Sequence, residues 1–289
     1  MYDIIIIGAG PAGLTAAIYG ARANKKVLVL EALNYGGAII NTPSIENYPV
    51  EENISGFDFA TKLYNQVINL GVEVKFEKVI NVNNTEVETN KSKYNTKTII
   101  IATGLNNRKL LLPNEDELIG KGISYCATCD GALYKDQDVA VVGGGNTALE
   151  DALYLSDICN KVYLIHRRNS FRADDITTKK VLEKDNIEVL YDTVVTKING
   201  TLHIESIETN NNTLNINGLF IAIGKIPTID FVDVDKTEEG YIKSDELCHT
   251  NIDNIFVAGD IREKSLRQLV TATSDGAIAA TEAIKYINK

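Results

Sequence analysis

Two stretches of the chain repeat one pattern of apolar and polar positions. Residues 3–31, DIIIIGAGPAGLTAAIYGARANKKVLVLE, lie over residues 138–166, DVAVVGGGNTALEDALYLSDICNKVYLIH, without a gap. Each copy opens on an aspartate and four apolar residues, turns on glycines, runs through an Ala- and Leu-rich stretch and returns to a second apolar run at 27–30 or 162–165. The pattern predicts a strand, helix, strand unit of a parallel sheet, written twice. Three more apolar runs end on glycine, TIIIATG at 98–104, GLFIAIG at 218–224 and NIFVAGD at 254–260, and read as further strands. The segment 71–97, rich in Val, Thr and Asn with alternating polarity, predicts antiparallel strands covering the first sheet, with 185–217 as their counterpart in the second.

The expected fold is therefore α/β: two Rossmann-like dinucleotide-binding domains with three ββα layers, the second inserted into the first. The boundaries are placed at 1–112 with 245–289 for the outer domain and 113–244 for the inserted one. A single glycine triplet is weak evidence, since glycines also mark ordinary turns; two copies in register carry more weight. In the first copy, GAGPAG, Gly8 permits the tight turn, Gly10 lets the backbone approach a pyrophosphate, and Gly13 allows close helix packing, with Pro11 and Ala12 between them. In the second, Gly143 and Gly145 keep the first two roles, and Ala148, still small, replaces the third glycine.

Composition narrows the class. At 289 residues with 44% apolar content, the chain is long enough for two domains, each with its own core. Lys and Arg total 29 against 39 Asp and Glu, and the average negative potential repels polyanions, so nucleic acid is not an expected partner. The apolar run at 4–7 lacks the basic flank and length of a signal peptide, and no stretch approaches the roughly 20 apolar residues of a membrane span. The expectation is a cytoplasmic protein. Its four cysteines, only two of them close in sequence, do not make a framework of the secreted kind.

The two copies differ at the residue that reads the adenosine ribose. Glu31 ends the first copy, where a carboxylate accepts hydrogen bonds from ribose hydroxyls and repels a 2′-phosphate, which fits FAD or NAD. The matching position of the second copy is His166, followed by Arg167, Arg168 and Arg172. Three guanidiniums there supply charge and bidentate donors for a 2′-phosphate, so this copy should prefer NADPH to NADH.

Just ahead of the second copy stands Cys126-Ala-Thr-Cys129-Asp130-Gly131. Cysteines at this spacing can close a small disulfide loop, a nearby helix N-terminus would favour the thiolate, and Asp130 could take and return the accompanying proton. Half of a zinc site and a pair of inert thiols are the other readings. Zinc would need two more ligands from Cys159, Cys248 and three histidines, none in a second paired spacing.

The ordered set GAGPAG, IENYP, ATG, CATCDG, GGGNTA, HRRNSFRA, VAGD and RQLVTATSDGAIAA resembles the low-molecular-weight thioredoxin reductases, from residue 2 to the C-terminus. The resemblance implies FAD held by Gly8, Gly10, Ala12, Gly13, Glu31, Gly37, Asn47, Asp260, Arg267 and Gln268, together with Ala102, Thr103 and Gly104 of the ATG motif. It implies NADPH at Gly145, Asn146, Thr147, Arg167, Arg168 and Arg172. It also implies that Cys129 faces the flavin, that Cys126 attacks a thioredoxin-type disulfide, that Asp130 handles the proton, and that the protein is a homodimer whose nucleotide domain rotates between two arrangements. In one departure, the family's usual Gly-Gly-Gln reads Gly36, Gly37, Ala38 here, so an amide contact near the flavin is missing. Competing readings are the same scaffold fed by ferredoxin, a flavoprotein that serves no protein disulfide, and a non-catalytic nucleotide-binding or zinc module.

Overall fold

The computed structural model describes residues 1–289 apart from positions 43, 46, 52 and 228, and apart from the side chain at 41. Position 46, within the IENYP motif, thus lies outside the described residues. The chain forms two compact units, one of residues 1–106 with 226–289 and the other of residues 107–225.

The outer unit is built on β1 (Tyr2–Ile7), α1 (Pro11–Arg22) and β2 (Val27–Glu31), followed by α2 (Gly56–Asn69), β3 (Glu73–Phe76), β4 (Val79–Val82), β5 (Glu86–Thr89) and β6 (Lys93–Ile101). Its parallel strands run in the order β3-β2-β1-β6, and the C-terminal half of β6 also pairs with β17 (Ile255–Val257). The apolar runs alternate across the sheet as a two-residue period requires. Ile4, Ile6, Val27, Val29, Ile100 and Phe256 face one core with α1 and the C-terminal helix, while Ile5, Ile7, Leu28, Leu30, Ile99, Ile101 and Val257 face another. That second core is closed by Val79, Val82 and Val87 of the antiparallel β4 and β5.

Strand β3 departs from the expectation for 71–97. It pairs parallel with β2, Val74 opposite Val29, and only β4, β5 and the start of β6 are antiparallel. A short edge strand with polar residues at alternate positions has the same signature in either direction.

The chain passes to the second unit through β7 (Asn106–Asn107) and continues with α3 (Glu115–Leu118), β8 (Ile123–Ser124), α4 (Ala127–Asp130), β9 (Asp138–Gly143), α5 (Asn146–Ser156), β10 (Lys161–Ile165) and α6 (Asp175–Leu182). Then come β11 (Ile187–Leu190), the meander β12 (Val195–Gly200), β13 (Ile204–Thr209) and β14 (Thr213–Asn215), β15 (Gly218–Ala222) and β16 (Lys225–Ile226). The sheet order is β11-β10-β9-β15-β8, all parallel, with β12-β13-β14 as a separate antiparallel layer. Of residues 185–217, the first strand therefore belongs to the main sheet and the rest cover it. Val139, Val141, Val162, Leu164 and Phe220 pack on the helical side, and Ala140, Val142, Ile165, Leu219 and Ile221 pack against Ile198, Ile204, Ile207 and Leu214 of the meander.

The return to the outer unit comes at 225/226 instead of 244/245. The reason is packing: Ile229, Val232, Val234 and Ile242 lie in the core formed by Ile5, Leu28 and Ile99. The outer unit closes with α7 (Leu269–Ile287), whose small residues Ala272, Ala279, Ala280 and Ala283 sit against Ala12, Ala16 and Ala17. A Cβ on Gly276 would lie 2.1 Å from the Ala12 carbonyl oxygen, so the crossing of α7 over α1 requires glycine there. No described helix is long and apolar enough to cross a membrane.

Candidate active site

The first glycine turn joins β1 to α1. Gly8 has φ +110°, and a Cβ there would lie 2.3 Å from the Ala102 carbonyl oxygen; a Cβ on Gly13 would lie 1.9 Å from the carbonyl oxygen of Gly8. Those two glycines are demanded by the protein's own backbone. Gly10 is not, because its added Cβ would find Gly37 Cα, 3.9 Å away, as its nearest neighbour. Gly10 thus leaves its backbone open on the outer side, a shape a phosphate could approach. Pro11 takes the first position of α1, where no N–H is needed, and Ala12 is buried beneath α7 as a packing residue.

Of the other residues expected at this site, Glu31, Gly37 and Ala102 touch that turn, and the rest belong to the same unit. Glu31 accepts the N–H of Ala9 at 2.8 Å and that of Leu33 at 2.9 Å, so its carboxylate is fixed beside the turn. The Gly36 N–H reaches the Ala9 carbonyl at 2.8 Å, which seats Gly37 beside Gly10; Ala38 follows, exposed, in a 3₁₀ turn. Ala102 continues the pairing of β6 with β1 through its N–H to Ile7 O, 2.8 Å. Thr103 Oγ1 is buried with no hydrogen-bond partner among the described residues, and Gly104 follows in left-handed backbone, φ +64°. Asn47 and Gln268, far apart in sequence, meet through Nδ2 to Oε1 at 3.0 Å; Gln268 also caps α7. Arg267 donates to the Asp260 carbonyl at 3.2 Å and lies over the Tyr241 ring at 4.1 Å.

Beneath this loop is a group that sequence reasoning missed. Asp275, buried on α7, pairs with Arg262 at 2.8 Å and Lys264 at 2.7 Å, and accepts the N–H of Gly259 at 3.0 Å. It thereby anchors the residue before Asp260. The TSDG string contained the aspartate, but nothing local marks its partners.

In the second unit, Gly143 is again enforced, its added Cβ lying 2.4 Å from the Ala222 carbonyl oxygen and 2.5 Å from the Ala148 methyl, whereas a Cβ on Gly145 would meet nothing within 4 Å. Thr147 is exposed at the start of α5, and Asn146 Oδ1 accepts the N–H of Asp174 at 2.9 Å, tying that start to the start of α6. Arg167, Arg168 and Arg172 are exposed, and none has an ion-pair partner among the described residues. Arg172 is held by its N–H to Gly144 O at 2.7 Å.

His166 does not sit among the exposed donors. It is 5% exposed, its Nε2 is 3.0 Å from the Ser170 carbonyl oxygen, and its ring leans on Phe171. Burial, reinforced by the charges of Arg172 and Arg168, holds its pKa below the usual histidine range. Its place is that of a wedge under the basic loop. Gly144, which the glycine reading passed over, is the residue that makes room for it: a Cβ there would lie 2.2 Å from the imidazole.

Cys126 and Cys129 are joined by a disulfide. Cys126 caps α4, and its sulfur accepts the N–H of Cys129 at 3.2 Å. Cys129 is the more exposed of the two. Asp130 accepts a hydrogen bond from Ser124 at 2.6 Å, and Tyr125, just before the pair, donates to the buried Glu115 at 2.7 Å. Burial pushes the thiol of Cys159 up to about 11 and that of Cys248 up to about 12, so both stay protonated and inert.

Two glycine turns of dinucleotide type and a two-residue-spaced disulfide define a nucleotide-dependent disulfide oxidoreductase. The family model described as pyridine nucleotide-disulphide oxidoreductase matches residues 2–276, and the chain belongs to that family. A thioredoxin reductase from Listeria monocytogenes is 39% identical, over 100% of this chain and 95% of that protein. One from Bacillus subtilis is also 39% identical, over 100% and 96%. The crystal structure of Lactococcus lactis thioredoxin reductase matches with a TM-score of 0.88 and 40% identity, covering 100% of this chain and 99% of that one.

Proposed function

We propose the following division of labour in an NADPH-dependent, FAD-containing thioredoxin-disulfide reductase. The outer unit holds FAD, with Gly8, Gly10, Pro11 and Gly13 at the pyrophosphate, Glu31 at the ribose, and Gly37, Ala38, Asn47, Ala102, Thr103, Gly104, Asp260, Arg267 and Gln268 around the rest. The open cradle at Gly10 and the buried hydroxyl of Thr103, without a partner among the described residues, support this fit. The inserted unit holds NADPH at Gly143, Gly145, Asn146 and Thr147, with the exposed guanidiniums of Arg167, Arg168 and Arg172 at the 2′-phosphate. Bound FAD supplies a carrier that accepts a hydride and releases two electrons to a disulfide.

The chain's own chemistry lies in the cysteine pair. Cys129, the more exposed residue of the pair, receives the electrons that open the disulfide. Cys126 then attacks the disulfide of a thioredoxin-type partner, because its sulfur already accepts the Cys129 N–H, which favours negative charge on that atom. Cys129 resolves the mixed disulfide, and Asp130 moves the proton. The observation that carries this reading is the asymmetry of the pair: the Cys126 sulfur accepts the Cys129 N–H and caps a helical turn, and Cys129 is the more exposed residue. Feeding by ferredoxin leaves the three exposed arginines without a use. The protein acts as a homodimer in the cytoplasm.

A Cys126→Ser variant tests the order of events. Its flavin is expected to bleach with NADPH as fast as in the parent while thioredoxin turnover stops. Retained turnover, or loss of flavin reduction, overturns the assignment.

A further inference from the structure

We infer that Ser124 is a positioning residue for proton transfer at the cysteine pair, holding the Asp130 carboxylate against the backbone of Cys126. The inference rests on the reading of Asp130 as the proton carrier. Ser124 ends β8, where pairing opposite Phe220 of β15 fixes it, and it is only 5% exposed. A buried hydroxyl must find partners, and this one has a single proton and two lone pairs to place.

The lone-pair side accepts the N–H of Cys126 at 3.0 Å. Two acceptors compete for the proton, Asp130 Oδ2 at 2.6 Å and the Cys126 carbonyl at 3.2 Å. The shorter contact, to the carboxylate, is of charge-assisted length and takes it. Asp130 returns to the same residue through its own N–H, which reaches the Cys126 carbonyl at 3.2 Å. Serine, aspartate and the Cys126 peptide groups thus close a small ring, and the carboxylate's orientation is set by a strand residue outside the CATCDG motif.

The Cys126 S–H proton passes to Asp130 as the Cys126 sulfur bonds to one partner sulfur; the partner's S–S bond breaks and its departing sulfur takes the proton. Attack by Cys129 then re-forms the Cys126–Cys129 bond and frees the second partner sulfur, which takes the proton lost by Cys129. The pair has given up two electrons and two protons, and the partner has gained both. Without the serine hydroxyl, the carboxylate is free to rotate away from the turn, and the proton relay loses its preset geometry.

The test is a double-mutant cycle on the intact FAD-loaded protein with NADPH and oxidised thioredoxin. Ser124→Ala is expected to lower kcat about tenfold, the scale of one hydrogen bond to a charged group, with KM for thioredoxin changed less than about twofold. Flavin bleaching by NADPH alone should keep its rate. In an Asp130→Asn background, Ser124→Ala should cost less than about twofold more, because the group it positions is gone. Ser124→Thr, which keeps the hydroxyl, should recover most of the lost kcat.

The outcomes separate cleanly. If Asp130→Asn is slow and Ser124→Ala turns over like the parent, the inference falls and the role of Asp130 stands. If Asp130→Asn itself turns over like the parent, the role of Asp130 falls and the inference with it. If the two losses multiply, or Ser124→Thr is as slow as Ser124→Ala, the serine is a structural support and the inference is overturned.

Discussion

Replacing Gly144 with alanine would set a methyl group 2.2 Å from both Cε1 and Nδ1 of His166 and 2.7 Å from its Cγ. The imidazole cannot simply swing aside, since it is buried, leans on Phe171 at 5.4 Å between ring centres, and is bound to the Ser170 carbonyl at 3.0 Å. Forcing an extra methyl into a packed site costs about 1–3 kcal/mol. Losing the hydrogen bond to Ser170 adds about 1 kcal/mol. The expected loss is therefore about 2–4 kcal/mol, read by urea unfolding. The displacement also reaches the nucleotide site, because the Arg172 N–H is bonded to the carbonyl of Gly144 itself and Arg167 and Arg168 follow the displaced ring. The KM for NADPH should rise accordingly. Removing the wedge checks the cause: in a His166→Ala background, Gly144→Ala should cost less than about 1 kcal/mol. An equal cost with and without the imidazole would refute the steric argument, as would a Gly144→Ala protein of parental stability and KM.

Two further outcomes follow from the same unit. Substituting Arg168 and Arg172 together by Gln should raise the KM for NADPH by about tenfold or more while leaving the KM for NADH within about twofold, measured by steady-state turnover, since only the 2′-phosphate loses partners. Asp151, on α5, has its carboxyl pushed up from 3.8 to about 7 by burial, with the neighbouring Glu150 adding to it. A raised carboxyl pKa favours the folded state fully below the ordinary value and loses that contribution as pH climbs from about 4 through about 7, on the order of 4 kcal/mol in all. Asp151→Asn should therefore melt progressively higher than the parent as pH rises from 5 to 8; a constant difference in Tm across that range would contradict the shift.

The parts of the fold that were legible in the sequence are those written locally. The runs around Ile4, Val139 and Ile99 alternate between two cores, and glycines end each of them, so strands and turns could be placed from neighbouring residues alone. Gly8 and Gly13 answer to backbone a few residues away or to the adjoining strand, and the motif spacing encodes that. The return of the chain at 226 was not visible, because the attachment of Ile229 and Val232 depends on a core assembled from β1, β2 and β6. Edge strand β3 was misread for the same kind of reason: its direction is decided by its neighbour β2.

The site shows the same division. The CATCDG string exposed the cysteines and Asp130, whereas Ser124, two residues before Cys126, carries no signal until the turn folds back on it. The run of glycines at 143–145 was plain, yet the one at 144 has its meaning from an imidazole brought from the end of β10. His166 was read as a ribose contact from its position; its burial against Phe171, just before the exposed arginines, could not be read from the string.

The path of electrons from NADPH through flavin to thioredoxin is tested by an anaerobic titration of the purified protein, following the flavin absorption bands as NADPH or NADH is added and then as oxidised thioredoxin is supplied. A yellow protein is expected, with rapid bleaching by NADPH, slow or no bleaching by NADH, and colour restored by thioredoxin. A yellow protein that only reduced ferredoxin can bleach would contradict the assignment of the arginines, and a colourless protein that cannot be loaded with FAD would contradict the enzyme itself.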